Sequence, residues 1–309
     1  MSTAAVDEAF GHPALFYRTR EEYTEQTLAF VREGLAAEEP VAVAVPGPNL
    51  DLIRTGLGAD GEGLLFLDMT EAGRNPGRII PRVLRGFADA HPTGRVRIIG
   101  EPIWAGRSAV EYPACAQHEA LINAAFAGRA VTILCPYDEA RLDEEVLADA
   151  RVTHPTVITG GRTEVSAAYD WEAVVARYNE ELPAVPHAAV FSFGAGELSA
   201  VRAFAAGEAA RWGLTGPRLI DAELAVAELT TNSVIHGGGR GTLAIWSEAG
   251  QLVCEVRDAG RLTDPLAGRR PPEPGQLGGR GLMLVHYVSD LVRLHTDDHG
   301  TTVRFYLGL

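Results

Sequence analysis

The chain contains no lysine: all 27 basic residues of this 309-residue sequence are arginine. The absence excludes sites that depend on a lysine amine, namely a phosphate-loop lysine, a Schiff-base lysine and the strand lysine of ordinary protein kinases. Any phosphate chemistry must therefore use backbone amides, a metal ion and arginine. The formal net charge of −14 disfavours general nucleic-acid binding, which draws on a basic face. We expect no direct nucleic-acid partner.

Cysteine is scarce as well. Cys115, Cys135 and Cys254 are widely spaced and odd in number, which argues against a disulfide framework and for a reducing compartment. No apolar stretch approaches the length of a membrane span, and the N-terminus lacks the basic and apolar regions of a secretion signal. We therefore expect a cytoplasmic protein with no membrane partner. Hydrophobic residues make up 46% of the chain, enough for a sizeable core.

The first part of the chain alternates short apolar runs with longer helical segments. Strands are predicted over 40–47, 63–69, 95–101 and 130–137, and helices over 20–37, 78–90 and 111–127. Strands that are apolar throughout and alternate with helices indicate an α/β domain with a buried parallel sheet. The first strand is followed by PGPNLDLI, where nucleotide-binding relatives place a phosphate loop. Because the Gly-Lys-Ser/Thr ending is missing, we place no nucleotide there.

A short connector separates this part from a second domain. A helix is predicted over 168–181, and the two prolines of LPAVPHAAV suit a stiff linker at 183–188. We therefore expect domains at 1–182 and 189–309. In the second, helices are predicted over 196–212, 217–236 and 281–289, and strands over 189–193, 241–248, 251–258, 290–296 and 301–307. Helices with mostly antiparallel strands indicate an α+β sandwich.

The helix predicted at 217–236 carries a polar stripe. Glu228, Asn232 and His236 recur every four residues, which places them on one face of the helix, and three glycines follow. Asn232 offers a neutral oxygen of the kind that Mg²⁺ prefers. Glu228 could accept a proton from a hydroxyl or a water that attacks a γ-phosphate. For His236 we favour anchoring of the glycine loop or contact with phosphate over a role as phosphoacceptor.

Three glycine-bearing motifs follow the stripe. In RDAG, Asp258 ends an apolar strand and could accept a hydrogen bond from the exocyclic amine of adenine, while Gly260 lets the backbone approach the base. GGRGLMLV opens a helix whose first amides could hold phosphate oxygens; they belong to Gly279, Arg280, Gly281 and Leu282. In HGTTVRF, Thr301 can hydrogen-bond near the same aspartate. Each motif alone is weak, but their order on the expected elements predicts an ATP–Mg²⁺ site.

Together these motifs resemble the GHKL ATP-binding domain shared by histidine kinases, gyrase and MutL. Within that superfamily they are most similar to the anti-sigma factor serine kinases of the RsbW type, over residues 186–309 with a short lid at 261–280. The matches are Glu228, Asn232 and His236 to the N-box, Asp258 and Gly260 to the adenine box, and Gly279, Gly281, Leu282, Gly300 and Thr301 to the later glycine boxes. The resemblance implies ATP and Mg²⁺ as cofactors, a serine of an anti-anti-sigma (STAS-type) protein as the phosphorylated group, a sigma factor as a further partner, and a homodimer.

The first domain resembles the MEDS sensory domain found with such kinases. The motifs that suggest it are HPALFYRT (12–19), GEPIW (100–104), CPYD (135–138) and THPTV (153–157). The resemblance implies a RecA-like α/β fold without a phosphate loop and a role as a ligand sensor. We predict a small-molecule pocket near the strand ends, lined by His12, Tyr17, Glu101, Trp104, Cys135, Tyr137 and His154. Core packing could explain the aromatic residues equally well.

Two other interpretations of the first domain stay open. Thiol and imidazole are the usual zinc ligands, which makes metal candidates of His12, Cys115, His118, Cys135 and His154. Of these, Cys115-x-x-His118 has ligand-like spacing. The lack of a second paired motif favours the interpretation without a metal. QHEAL (117–121) resembles the acceptor site of a histidine kinase, but the α/β alternation around it offers no dimerising helical hairpin.

The leading hypothesis is therefore an ATP-dependent serine kinase and anti-sigma-type switch controlled by an N-terminal sensor. One alternative is a non-catalytic switch whose ATP state only sets its affinity for a partner. Another is a sensor histidine kinase-like protein. A conformational ATPase clamp would need a large lid and a following transducer domain, and the sequence shows neither.

Overall fold

The computed structural model describes residues 9–271 and 279–309. The chain forms two compact units, and the division between them falls between Tyr178 and Asn179. Within the described ranges, no helix is both long enough and apolar enough to span a membrane.

Eight strands form the sheet of the first unit in the part of the chain that is described. They are β1 (Phe10–Gly11), β2 (Pro13–Tyr17), β3 (Val41–Val45), β4 (Leu65–Asp68), β5 (Val96–Gly100), β6 (Val131–Asp138), β7 (Thr156–Thr159) and β8 (Arg162–Val165). Their order is β4-β3-β5-β6-β2-β7-β8, with β1 beside β6. All pairs are parallel except β7 with β8, which is antiparallel. The sheet is thus mixed rather than wholly parallel, because a tight hairpin at Gly160–Gly161 returns the chain along β7.

The helices of this unit follow the strands in alternation. They are α1 (Arg20–Ala36), α2 (Gly47–Leu57), α3 (Met69–Ala72), α4 (Arg85–Ala90), α5 (Tyr112–Phe126), α6 (Glu144–Thr153) and α7 (Trp171–Arg177), with short 3₁₀ segments at Gly58–Gly61 and Pro76–Arg78 and a π-helix at Ile79–Leu84. Thr19 caps α1, since its side chain accepts a hydrogen bond from the Glu22 amide at 3.1 Å. Helix α2 begins two residues after β3, where the sequence lacks a phosphate-loop ending.

The two faces of this sheet carry different residues because side chains alternate along each strand. Leu15 and Tyr17 of β2 and Val43 of β3 pack in one core with residues of α1 and α2. The intervening residues of β2, Ala14 and Phe16, therefore point to the opposite face. This alternation decides which candidate residues of the first unit can meet.

The second unit is a single antiparallel sheet with helices against it. Its strands are β9 (Ala189–Gly194), β10 (Arg240–Glu248), β11 (Gln251–Asp258), β12 (Leu291–Asp297) and β13 (Gly300–Gly308), in the order β12-β13-β11-β10-β9. Its helices are α8 (Leu198–Arg211), α9 (Gly216–His236) and α10 (Gly281–Val288), and a 3₁₀ turn lies at Ala195–Glu197. All five strands pair antiparallel with their neighbours. One face of the sheet forms a common core with all three helices, so the predicted α+β arrangement is present.

The chain that enters the second unit is hydrogen-bonded to its sheet. The Asn179 side chain donates to the Thr296 carbonyl at 2.8 Å and accepts from the Thr296 amide at 3.0 Å. Further along, Arg304 donates to the Pro183 carbonyl at 2.7 Å and to Glu255 at 2.6 Å. Residues 179–183 thus pair with the second unit, which explains why the structural division falls four residues before the predicted domain end at 182.

Candidate functional site

The polar stripe of α9 lies against the first residue of α10. Gly281 approaches so closely that an added Cβ would lie 2.6 Å from Glu228 Oε2 and 3.2 Å from Asn232 Nδ2. A side chain at position 281 would have to displace the end of the Glu228 side chain, so glycine is what lets the carboxylate lie directly against the start of α10. The structure therefore brings a carboxylate, an amide and a helix N-terminus together, although Gly281 is 49 residues or more from either side chain in the sequence.

Asp258 is held in place at the end of β11 by two donors. Ser233 Oγ donates to one carboxylate oxygen at 2.6 Å, and the Gly260 amide donates to the other at 2.9 Å. Gly237, the residue after α9, packs so closely on the carboxylate that an added Cβ would collide with it. Asp258 is only partly buried, so its remaining lone pairs can accept a further hydrogen bond from an amine. The sequence pattern did not reveal Ser233, although it lies next to Asn232.

Thr301 lies directly across the strand pair from Asp258. The two residues are register partners of β11 and β13. The Thr301 hydroxyl donates to the Gly260 carbonyl at 2.7 Å and lies 2.9 Å from the Thr296 hydroxyl. The adjacent Gly300 lies against the Asp258 backbone, where a Cβ would again collide. These contacts hold the loop that follows Asp258 in place. Thr301 therefore lies near the aspartate, where the sequence motif suggested it.

The remaining predicted nucleotide residues lie around the same helix termini. His236 is the last residue of α9, and its side chain is exposed. Arg280 is the N-cap of α10, Gly279 precedes it with a φ of 83°, and both are exposed. Leu282 packs closely on Gly268, so its side chain belongs to the core. Its backbone amide, in the first turn of α10, is the part that could contact phosphate. The predicted lid extends over 261–280, of which 272–278, including Gly278 of GGRGL, lie outside the described residues.

The first unit contains a cavity of about 600 Å³ at the carboxyl ends of its strands. Three of the seven predicted sensor residues line it, namely Tyr17, Glu101 and Trp104. Its walls also carry polar and charged groups, among them Arg18, Arg20, Asn49, Asp138 and Arg141. The Arg107 guanidinium stacks 3.9 Å from the Trp104 ring centre and donates to the Pro102 and Gly73 carbonyls, which holds the loop after β5 in place.

Glu101 is the buried polar group of this cavity. Tyr23 Oη donates to its carboxylate at 3.1 Å, and Asn49 Nδ2 donates to both of its oxygens at 2.9 Å. Burial raises the pKa of Glu101 to about 8, and the nearby Asp138 charge adds to this, while the hydrogen bonds from Asn49 and Tyr23 act in the opposite direction. Glu101 is therefore largely a neutral acid at neutral pH, and it can donate as well as accept hydrogen bonds.

Comparison with protein families identifies two domains. Residues 11–155 match the family described as MEDS, the methanogen/methylotroph, DcmR sensory domain, and residues 191–307 match the histidine kinase-like ATPase domain. The chain carries a MEDS domain followed by a histidine kinase-like ATPase domain. No curated protein matches the chain. The layout predicted from the sequence is thus confirmed, and the ATPase domain implies an ATP-binding, kinase-like signalling protein.

The MEDS domain separates the predicted sensor residues into two groups. His12, Cys135, Tyr137 and His154 do not line the cavity with Tyr17; they are buried on the opposite face of the sheet. The physical reason is the two-residue alternation of β2 and β6, which points Ala14, Cys135 and Tyr137 away from α1 and α2. The prediction of one pocket with all seven residues is therefore wrong.

A residue that the sequence pattern did not single out as a ligand lies in the centre of the second group. Glu119 of α5 is buried, and its Oε2 lies 3.3 Å from His12 Nε2 and 3.2 Å from His154 Nε2. In the sequence this glutamate belongs to the motif QHEAL, which was interpreted through its histidine and not through its glutamate. His118 itself is fully buried in α5, and Cys115 is buried as well; neither belongs to this group.

Proposed function

We propose that the ATPase domain is an ATP-dependent protein serine kinase that phosphorylates an anti-anti-sigma partner under control of the MEDS domain. The observation that carries the proposal is the approach of Gly281 to Glu228 and Asn232. It supports a carboxylate base beside the point where a helix N-terminus would receive phosphate oxygens. A domain that only bound nucleotide would have no use for a carboxylate at that position.

The residues present fit ATP and Mg²⁺. Glycine at positions 281, 237 and 300 lets the backbone lie directly against Glu228, Asn232 and Asp258, which positions these side chains. Asn232 would hold Mg²⁺ through its amide oxygen, and Asp258 would bind the adenine amine. The amides of Gly279, Arg280, Gly281 and Leu282 would hold the phosphates. When bound, Mg²⁺ neutralises the charge that develops on the transferred phosphoryl group.

The protein's own groups would then position the transfer. Glu228 accepts the proton of the partner's serine hydroxyl as the serine oxygen forms a bond to the γ-phosphorus. The bond between that phosphorus and the bridging oxygen breaks, and ADP leaves with the electron pair. His236, exposed at the end of α9, is available to contact phosphate or to anchor the loop of Gly237–Gly239. Asp258 with Ser233 keeps the adenine from shifting during the transfer.

The histidine kinase alternative has less support. His118, the histidine of the acceptor-like motif QHEAL, is fully buried in α5. A phosphoacceptor must reach the γ-phosphate of ATP, which a side chain enclosed in a core cannot do without local unfolding.

For the MEDS domain we propose a ligand-sensing role at the cavity of Glu101. An aromatic wall with one neutral carboxyl, one amide and two tyrosines in the same hydrogen-bonded group suits a small ligand with both apolar and polar surface. A sigma factor and the anti-anti-sigma protein are the proposed macromolecular partners, and a homodimer is the proposed assembly.

The kinase proposal is tested by Glu228→Ala. We expect this variant to bind ATP with an affinity close to that of the unmodified chain. Its rate of phosphate transfer to an anti-anti-sigma protein should be at least about 100-fold lower. Calorimetric titration measures the first quantity, and incorporation of labelled phosphate measures the second.

The matched control is Glu223→Ala, which removes a carboxylate from the same helix about 140° away around its axis. It should leave both measurements unchanged. Normal transfer by Glu228→Ala would show that another group is the base and would remove Glu228 from the mechanism.

A further inference from the structure

The MEDS domain contains a compact cluster of four buried groups that can bind a metal. Its members are His12, which follows β1, Glu119 of α5, Cys135 of β6 and His154 after α6. One ligand atom from each lies within 4.8 Å of all the others, and all four residues are almost completely buried. Because they come from four separate elements, only the fold brings them together.

Three of the six distances between the ligand atoms are close to those of a tetrahedral coordination sphere. Zn²⁺ bonds of about 2.0–2.3 Å place neighbouring ligand atoms of a tetrahedron about 3.3–3.6 Å apart. Glu119 Oε2 lies 3.3 Å from His12 Nε2 and 3.2 Å from His154 Nε2, and Cys135 Sγ lies 3.4 Å from His12 Nε2. These three edges are close to the required length, and the other three distances are no longer than 4.8 Å, so shifts of the side chains would complete the sphere around an ion.

The outer ring nitrogens of both histidines are already held by acceptors. His154 Nδ1 lies 2.8 Å from the Ala150 carbonyl, which can only accept a hydrogen bond. His12 Nδ1 lies 3.2 Å from Asn123 Oδ1. The orientation of that amide is fixed, because Asn123 Nδ2 donates to the Thr153 and Ala120 carbonyls at 2.8 and 3.0 Å. Both Nδ1 atoms therefore carry the proton in a neutral ring, and both Nε2 atoms present a lone pair to the centre of the cluster.

The two Nε2 lone pairs face one carboxylate and the Cys135 thiol, which lies within hydrogen-bond distance of His12 Nε2. Within the described ranges, the Glu119 oxygens and His154 Nε2 have no hydrogen-bond partner of good geometry. A divalent cation would satisfy all of these groups at once. Acceptors on the outer nitrogens of metal-bound histidines are a regular feature of such sites, since they fix the ring orientation.

We propose that His12, Glu119, Cys135 and His154 form a buried tetrahedral site for a divalent transition metal of the zinc class. Two imidazoles, one thiolate and one carboxylate are the ligand types that Zn²⁺ binds with four-coordinate geometry. The sequence favours no metal here because the four ligands are not paired in the chain. The site ties β6 and α5 to the segments around β1 and α6, and it does not depend on the kinase activity.

The test uses the full-length protein, freed of metal by a chelator under reducing conditions and then titrated with Co²⁺. We expect one equivalent to bind, with the visible absorption of tetrahedral Co²⁺ and a thiolate-to-cobalt charge-transfer band, and Zn²⁺ should displace it. A chain that retains its circular dichroism but takes up no stoichiometric metal would overturn the proposal.

Variants then assign the ligands. Cys135→Ser should lose the charge-transfer band, whereas Cys254→Ser, which removes a buried thiol from the other domain, should keep it. A band that persists in Cys135→Ser would contradict the assignment. Asn123→Ala, which removes the acceptor behind His12, should weaken Zn²⁺ binding about 10- to 100-fold. If Cys135→Ser does not fold, Glu119→Gln is compared with the unmodified chain instead. The quantity measured is then the stoichiometry of bound metal.

Discussion

Single atoms decide how the nucleotide site is arranged. The hydrogen of Gly281 permits the approach of α10 to Glu228 and Asn232, and the hydroxyl of Ser233 holds one oxygen of Asp258. Glu228, Asn232 and Asp258 could be recognised from the sequence because each is polar at a spacing where a core residue is expected. Ser233 could not, because a serine within a helix gives no signal until the strand beside it is known.

Asp258→Asn should abolish measurable ATP binding, a loss of about 100-fold or more. An asparagine has one acceptor oxygen, so its N–H group would face either the Gly260 amide or the adenine amine. Calorimetric titration with ATP measures the loss. Asp221→Asn, which alters only the surface pair of Asp221 with Arg218 at the start of α9, serves as the control and should bind ATP normally. Unchanged affinity in Asp258→Asn would remove the adenine-site assignment.

Glu101 should make the stability of the protein depend on pH. The pKa of Glu101 is raised to about 8 by burial, so the folded state keeps a proton that the unfolded chain releases near pH 4–5. The free energy of unfolding should therefore fall as pH rises from about 5 to about 8, by up to about 1.4 kcal/mol per pH unit from this group. Urea unfolding across this range measures the slope.

Glu101→Gln provides the comparison, because its amide does not titrate. The free energy of unfolding of the unmodified chain should fall steadily relative to that of this variant as the pH rises. A difference that stays constant from about pH 5 to about pH 8 would show that Glu101 is ionised throughout.

At the level of elements, the strands and helices with strong apolar periodicity were predictable. Strands β3, β5 and β6 and helices α1, α5 and α9 begin and end within a residue or two of the predicted bounds. Strand β2 and helices α2 and α6 were not predicted. PALFY is short and begins with proline, α2 contains glycine and proline in its first turn, and α6 is rich in charge. Without β2 the two faces of the sheet could not be assigned, which is why one sensor pocket was predicted instead of a cavity and a separate cluster.

Asp149 joins three helices of the MEDS domain. This buried carboxylate of α6 accepts hydrogen bonds from Tyr112 of α5 at 2.9 Å and from Tyr178, and it pairs with Arg177 of α7. Asp149→Ala removes the acceptor of the Tyr112 hydroxyl, the shorter of the two hydrogen bonds of the Tyr178 hydroxyl and the partner of the half-exposed Arg177 guanidinium. We expect the free energy of unfolding to fall by about 3 kcal/mol.

Chemical denaturation measures this change. Asp51→Ala, at an exposed position of α2, is the control and should change stability by less than about 0.5 kcal/mol. A loss of the same small size in Asp149→Ala would show that these helices are held by apolar packing alone.

At the level of the whole molecule, the order of the two domains could be predicted from motifs, whereas their chemistry depends on contacts across each fold. The absence of lysine left backbone amides, arginine and a metal ion as the candidate phosphate-binding groups, and the structure places Gly281, the first residue of α10, beside Asn232 and Glu228. The MEDS domain contains the proposed sensing cavity and a separate buried cluster, and the ATPase domain carries the proposed phosphate transfer.

The central claim is that this transfer goes to a serine of another protein. The most direct measurement incubates the full chain with Mg²⁺, ATP labelled at the γ-phosphate and an anti-anti-sigma protein, followed by identification of the labelled residue. The account predicts acid-stable label on a serine of the partner, with none retained by the chain. Acid-labile label on a histidine of the chain itself, or bound ATP with no transfer to the partner, would contradict it.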